Sequence, residues 1–256
     1  MAGDLWLEAA MENMGTQEQL DERAARTLDI YATRSFRSAR AVQRLNFTIT
    51  LWVIRVKVTA SLKRLLDIAA SAVAVVLTSP IMLGTVIAIR LDSPGPIIFK
   101  QTRVGKYNTH FTCFKFRSMY IDAEARKAQL MAQNEATGPV FKMKRDPRVT
   151  KVGRIIRKLS IDELPQLFNV LRGDMSMVGP RPPVPKEVAQ YTFDELKRLD
   201  AIPGITGLQQ ISGRSDMTFK RWVELDMQYI AEQSLLKDIE IMLKTIPAVV
   251  SGKGAY

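Results

Sequence analysis

Two residue types that build many active sites are almost missing from this 256-residue chain, which has one cysteine, Cys113, and one histidine, His110. A single thiol excludes an internal disulfide framework and a cysteine-based zinc cluster, and a lone histidine argues against a Ser-His-Asp triad. Any metal is therefore expected to be a hard ion held by oxygen. Acid is also scarce: 26 Asp and Glu against 37 Lys and Arg leave a net charge of +11. Anionic partners follow, whether nucleic acid, an acidic membrane surface or phosphorylated substrates, and charge alone does not choose among them. The first 45 residues are charged and lack an apolar h-region. No cleavable signal peptide is expected there, and the soluble part is expected to stay in the cytoplasm.

What is present is 46% hydrophobic residues, enough for one core, a membrane element and a short extension. The 22 residues from Ile68 to Ile89 carry no charge, and as a straight helix they would extend roughly 33 Å, enough to cross a bilayer. Ser79-Pro80 falls near the middle of this stretch. Proline removes a backbone donor and crowds the preceding turn, dividing the stretch into halves of about 18 and 14 Å. Arg55, Lys57, Lys63 and Arg64 precede it, and Arg90, Lys100, Arg103 and Lys106 follow it, so the positive-inside rule favours export of neither end. A re-entrant helix that bends at Ser79-Pro80 and returns to the cytoplasmic face meets both conditions. A kinked spanning helix and a buried helix of a soluble core are the alternatives. Ser79 is placed to bond a carbonyl freed by the proline.

Residues 1–55 read as an N-terminal extension, interfacial or partner-binding, with Arg23, Arg26, Arg34, Arg37, Arg40 and Arg44 ahead of the short apolar run Phe47 to Ile54. Residues 56–92 form the membrane segment, and 93–256 the cytoplasmic domain. In that domain, Asp92-Ser93-Pro94-Gly95-Pro96 is a turn, and Ile97 to Lys100 with the alternating Thr109 to Arg117 predicts a hairpin. Helices are predicted over Asp122–Gln133, Ser160–Leu171, Lys186–Leu199, Phe219–Glu232 and Leu235–Ile246, with Gly173 and Pro247 as stops. The fold class is α/β, mainly helical.

The adjacent acids Asp162 and Glu163 are the chemical focus. Ser160 with Glu163 three residues on is also a capping-box pattern, so a plain helix start competes with a functional reading. The surroundings favour function: Lys142 to Lys158 holds eight basic residues and one acid, and Gly179-Pro180-Arg181-Pro182-Pro183 follows the pair. A helix N-terminus offers amides and a positive dipole end to phosphate oxygens. Magnesium is commonly held by one or two carboxylates together with substrate phosphates. An aspartate can attack phosphorus to form an acyl phosphate, dividing one hard displacement into two easier ones.

At these residues the sequence resembles the bacterial monotopic phosphoglycosyl transferases, or bacterial sugar transferases, over roughly Ser61 to Tyr256. The resemblance is carried by Lys63-Arg64-Leu65-Leu66-Asp67, Ser79-Pro80, and Pro94-Gly95-Pro96 with Phe99, Gln101, Arg103 and Gly105. It continues through Lys115-Phe116-Arg117-Ser118-Met119, Asp162-Glu163-Leu164-Pro165-Gln166-Leu167, Gly173-Asp174-Met175-Ser176, Val178-Gly179-Pro180-Arg181-Pro182 and Pro203-Gly204-Ile205-Thr206-Gly207. The joint occurrence of these motifs in this order is highly specific.

The resemblance implies transfer of a hexose-1-phosphate from a UDP-sugar to polyprenyl (undecaprenyl) phosphate with release of UMP, the first membrane step of exopolysaccharide, capsule or other glycan assembly. It implies a covalent intermediate on Asp162, Mg2+ supported by Glu163 and Asp162, and a re-entrant helix broken at Ser79-Pro80. Amphipathic interfacial helices would match Leu235 to Val250. The expected setting is the bacterial inner membrane, with the catalytic domain on its cytoplasmic face and anionic lipids around it. Nucleic acid is not an expected partner, and a homo-oligomer is compatible with the pattern. Lys115, Arg117, Arg157 and Arg181 are the candidates for phosphate contact, and each has a solvated or lipid-facing cation as its alternative. Arg214 and Asp226 match positions near the nucleotide, with an exposed helix acid as the alternative for Asp226. Leu208-Gln209-Gln210 stands where the family often has an aromatic, and Ser215 where Asn is frequent. These departures bear on the sugar, for which glucose and galactose lead by resemblance. A basic scaffold that holds anionic lipid or nucleic acid, and a transferase without a covalent step, are the competing readings.

Overall fold

In the computed structural model, residues 39–135, 138–141, 143, 145–213, 217–252 and 254 are described, together with 21, 22, 25 and 26. The chain divides into two compact units, Met1–Ser61 and Leu62–Tyr256. Arg214 lies outside the described residues, as do Arg23, Arg34 and Arg37 of the extension.

Helix α1 runs over Ala39–Asp92 and includes the apolar stretch, with Pro80 inside it. By length and apolar composition, residues Gln43–Asp92 could cross a membrane. Helical residues continue through Ser79-Pro80. The proline leaves the Val76 carbonyl without its usual amide, and the Ser79 hydroxyl donates to that carbonyl at 2.8 Å, as the sequence suggested.

Within the second unit, the hairpin joins β1 (Ile98–Val104) to β2 (His110–Phe116), antiparallel, with Phe99 opposite Lys115 and Gln101 opposite Cys113. A polar helix α2 (Ala123–Leu130) follows, and then α3 (Lys151–Lys158), started by Thr150, whose side chain accepts from the Gly153 amide. Next come a 3-10 turn at Ile161–Glu163 and the short helix α4 (Gln166–Arg172), which ends at Gly173 with φ 97°. Strand β3 (Ser176–Val178) pairs in parallel with β4 (Gly204–Thr206). A Cβ on Gly204 would collide with the Gly179 amide, so glycine permits this approach of two backbones. Between the two strands lie α5 (Pro185–Val188), α6 (Phe193–Leu196) and a 3-10 turn at Lys197–Asp200. After β4 come α7 (Leu208–Ser212), α8 (Phe219–Glu232) and α9 (Leu235–Ser251).

Three of the predicted helices need correction. Ser160–Leu171 is not one helix, because Ser160 is left-handed (φ 54°) and makes no side-chain cap, while Pro165 has no amide to continue the ladder. Lys186–Leu199 is broken by a second start at Thr192, where Thr192 and Glu195 form a reciprocal capping box. Pro247 does not stop the last helix. The carbonyl it leaves unbonded is that of Leu243, which is 63% exposed, so the lost bond lies on the outward face.

Apolar packing is divided. One core gathers Val178, Leu208, Leu225, Tyr229 and Ile241 from β3, α7, α8 and α9. A second joins Ile89 of α1 to Phe116 of β2 and Ile156 of α3. The two flanks of the apolar stretch are thus tied to the same unit. On the first flank, Lys63 bonds Asp238 at 2.6 Å, Arg64 caps the end of α4 at the Val170 and Leu171 carbonyls (2.6 and 2.8 Å), and Asp67 accepts from Ser176 Oγ and the Met177 amide. On the second, Asp92 accepts from the Val152 amide at 3.2 Å.

Candidate active site

The site begins with a seam between α4 and β2. Asn169, fully buried, accepts from the Phe114 amide at 3.0 Å and donates to the Thr112 carbonyl at 2.7 Å. This sews the middle of α4 to the strand, and strand periodicity turns Cys113 and Lys115 to one face. Lys115 Nζ consequently lies 2.6 Å from Glu163 Oε1. Arg181, just beyond β3, reaches the same oxygen at 3.2 Å. Burial pushes the Glu163 carboxyl up, but Lys115 and Arg181 together outweigh it and hold the group well below the usual carboxylate range.

Asp162 differs from its neighbour. It is buried and accepts no hydrogen bond from any described residue. Burial, with the charge of Glu163 added, pushes its carboxyl up to about 6 against the pull of Lys115, Arg157 and Arg181. The left-handed Ser160 precedes it, a conformation that costs a non-glycine residue energy. An acid without a donor in a buried position is expensive to maintain. It leaves both oxygens available to a reacting group.

Asp162 and Glu163 line a cavity of about 1250 Å³, together with Lys115, Arg157 and Arg181. Arg117 lines it too, so six of the eight candidate residues border this cavity. Arg117 is also bound to backbone. It is 6% exposed, and its guanidinium donates to the carbonyls of Ser93 (2.6 Å) and Pro94 (2.7 Å) and to Ser93 Oγ (3.0 Å). Its terminal nitrogens clamp the turn after α1. Gly95, at φ 122°, leaves room for this clamp, since a Cβ there would meet the guanidinium.

Asp226 is not an exposed helix acid. It is 2% exposed and pairs with Arg198 through Nε at 2.8 Å and Nη2 at 2.6 Å. Arg198 also bonds the Tyr191 hydroxyl at 2.8 Å and packs over the rings of Tyr191, Phe219 and Trp222. Arg198, Tyr191, Trp222 and Gln209 reach the cavity wall while Asp226 stands behind them, so any effect of Asp226 on a ligand passes through Arg198. Gln209 was noted from sequence only as a departure from the family pattern, and Arg198, Tyr191 and Trp222 were not singled out. The signal available for them was the aromatic pair Phe219 and Trp222 at i, i+3 on a predicted helix.

Arg103 is a further residue that sequence reasoning did not assign. It donates to the Pro182 carbonyl at 2.8 Å, and burial with nearby Arg181 lowers its affinity for a proton. Cys113 is buried, and burial pushes its thiol up. That makes it a poor rival nucleophile.

Among the described residues no group of three His, Cys, Asp or Glu is placed to hold a metal, so a cage made of protein alone is not offered. Magnesium does not require one, since it takes one or two carboxylates and completes its shell with water and substrate phosphates. Asp162 and Glu163 Oε2, to which no described residue donates, fit that donor set.

Asp162, buried, and Glu163, half-buried, thus share with Lys115, Arg157 and Arg181 a cavity whose wall also includes Ala74, Thr78 and Ile81 of the long apolar helix. The pattern of the bacterial sugar transferase family matches residues 58–252, and the chain belongs to that family. It is 49% identical over 194 residues to the galactosyl transferase CpsE of Streptococcus agalactiae, covering 75% of this chain and 43% of that protein. It is 44% identical over 199 residues to the undecaprenyl-phosphate galactose phosphotransferase of Salmonella typhimurium, covering 76% of this chain and 42% of that protein. With the exopolysaccharide production protein ExoY of Rhizobium meliloti it shares 40% identity over 198 residues, covering 76% of this chain and 88% of that protein. The chain thus spans less than half the length of the first two relatives.

Proposed function

We propose that this protein transfers a sugar-1-phosphate from a UDP-hexose to undecaprenyl phosphate, at the cytoplasmic face of the bacterial inner membrane, and so initiates an exopolysaccharide or capsule. The observation that carries the reading is Asp162, a buried carboxylate without a hydrogen-bond donor among the described residues, beside a Glu163 already neutralised by Lys115 and Arg181. The names of the Salmonella and Rhizobium relatives support the substrate class and the pathway.

In the first step a carboxylate oxygen of Asp162 attacks the sugar-bearing phosphorus. The bond from that phosphorus to the bridging oxygen breaks, and UMP departs with the electron pair. In the second step a phosphate oxygen of the acceptor attacks the same phosphorus, the acyl-phosphate bond breaks, and the Asp162 carboxylate returns. Lys115, Arg157 and Arg181 line the cavity where negative charge is brought together, and cations already fixed in place stabilise charge that develops there. Bound Mg2+ would neutralise diphosphate charge and stabilise the leaving UMP, with Asp162 and Glu163 as its protein ligands.

A re-entrant α1 accords with this assignment. Lys63, Arg64 and Asp67 on one flank and Asp92 on the other are bound to the same catalytic unit, which favours both ends lying on one side of the membrane. The exposed Leu236, Ile239, Leu243, Ile246 and Val250 of α9 recur at 3–4 spacing and would rest in the interface.

The test is UMP release from a panel of UDP-sugars with undecaprenyl phosphate and Mg2+, followed by mass analysis of the protein without acceptor. A phosphosugar adduct on the Asp162 peptide is expected. Turnover with no adduct would favour direct transfer, and no UMP from any UDP-sugar would defeat the proposal.

A further inference from the structure

We infer that Arg103 is a positioning residue for the transfer, one that touches neither carboxylate but holds Arg181 on Glu163 through the Pro182 carbonyl. This rests on the function proposed above. The segment Gly179-Pro180-Arg181-Pro182-Pro183 contains three prolines, so it has few amides with which to fasten itself. Ahead of Arg181 it is tied to β4, where the Gly179 amide donates to the Thr206 carbonyl and the Gly204 amide to the Pro180 carbonyl, both at 2.9 Å. Beyond Arg181 it is tied to the end of β1. There the Val104 amide donates to the Pro183 carbonyl at 2.9 Å, and Arg103 Nη1 to the Pro182 carbonyl at 2.8 Å. Arg103 thus makes the fastening next to Arg181 on that side. Held from both directions, Arg181 places Nη1 at 3.2 Å from Glu163 Oε1.

The hairpin gives this arrangement its reason. Opposed residues of an antiparallel pair lie on the same face, and successive residues alternate between faces. Phe99 opposes Lys115 and Arg103 opposes Phe111, so Arg103 and Lys115 share one face of the hairpin. Lys115 reaches Glu163 directly at 2.6 Å, and Arg103 reaches it by way of Arg181. One element therefore sets both cations on Glu163. Packing alone does not account for an arginine at this place. Burial and the charge of Arg181 both disfavour its ionised form, and its Nε is buried with no hydrogen-bond partner among the described residues. Both features are destabilising. An apolar side chain would avoid them, but it could not donate to Pro182.

The test is a double-variant cycle on single-turnover UMP release, using the full chain in nanodiscs with Arg103→Met, Arg181→Ala and the two combined. Arg103→Met keeps the stem and removes the donors. It is expected to slow release about 10²-fold, the cost of displacing an aligned group by about 1 Å. In the Arg181→Ala background the same change should cost less than about threefold, because the residue it acts through is gone. A packing role predicts equal effects in the two backgrounds. Equal effects would overturn the proposal, and so would an unchanged rate for Arg103→Met. A second readout needs no turnover: rotation of the Arg181 guanidinium followed by nitrogen NMR, with the signal assigned by its loss in Arg181→Ala. Slow rotation is expected in the unaltered chain and faster rotation in Arg103→Met. Fast rotation in the unaltered chain overturns the proposal even if no variant folds, and rotation unchanged by Arg103→Met overturns it too. If rotation quickens in Arg103→Met while no UDP-sugar yields UMP from the unaltered chain, the assigned reaction fails and the positioning stands.

Discussion

Asp162 and Asp238 are both buried carboxylates with a lysine near them, and they are treated in opposite ways. Asp238, 1% exposed, receives Lys63 Nζ at 2.6 Å and the Tyr229 hydroxyl at 2.7 Å. Its acceptors are engaged and it roots α1 in the catalytic unit. Asp162 has no donor among the described residues, and its neighbour Glu163 takes the cations instead. A fully bonded buried charge stabilises one arrangement, whereas an unbonded one is held ready for a ligand.

The largest effects should separate the two. Asp162→Asn is expected to lower turnover by about 10⁴-fold or more, as for loss of a covalent nucleophile, without loss of fold. Stability should move the other way. The folded carboxyl titrates near 6 against an ordinary 3.8, so its favourable contribution is complete below about pH 3.8 and is lost as pH rises through 6. At pH 8 the ionised group then costs about 3 kcal/mol, and Asp162→Asn should raise the melting temperature there. Asp238→Ala should do the reverse, costing up to about 3 kcal/mol by depriving half-buried Lys63 of its counter-ion. Thermal unfolding and UMP release on the same preparations check both, and a destabilised Asp162→Asn would break the contrast.

Glu163→Gln comes next, with kcat/KM expected to fall roughly 10²–10³-fold, comparable to removal of one electrostatic element of a site. Its pH profile sharpens the comparison further. For the unaltered protein, kcat/KM for UMP release should rise with pH through about 6 and then level off, because the attacking group is the carboxylate. Glu163 contributes to that raised value, and its removal also leaves Lys115 and Arg181 unneutralised. The acid limb of Glu163→Gln should therefore move to lower pH. A limb that stays in place would show that Asp162 is not the group titrating.

Much of this was legible in the chain, for reasons that can be located. The hairpin showed in the alternation of Thr109 to Arg117, α8 in its spacing, and the closeness of Asp162, Glu163, Lys115, Arg157 and Arg181 in motifs dense with charge. What sequence did not reveal is where a cation's donors go. Arg117 looked like Lys115 until the Ser93 and Pro94 carbonyls were seen to occupy it. The exposed alternative for Asp226 stayed open because its partner Arg198 lies 28 residues away. Lys63 and Asp238, 175 residues apart, join through the tertiary fold alone. The division of Ser160–Leu171 was missed because the capping-box pattern at Ser160 outweighed Pro165, four residues past Ile161.

The smallest expected effect carries the same contrast into α1. Pro80 deprives the Val76 carbonyl of its amide, and Ser79 Oγ supplies the replacement at 2.8 Å. Backbone groups in lipid have no water to fall back on, so Ser79→Ala should leave that carbonyl bare at a cost of about 1–3 kcal/mol, whereas Ser79→Thr can keep the bond. In a soluble setting water would satisfy the carbonyl and the loss would shrink to a few tenths, as for other exposed substitutions. Comparing the unfolding of Ser79→Ala in nanodiscs and in a mild detergent that wets the helix measures this difference. A larger loss in the bilayer locates Val76 at membrane depth, and equal small losses would place Ser79-Pro80 in contact with water.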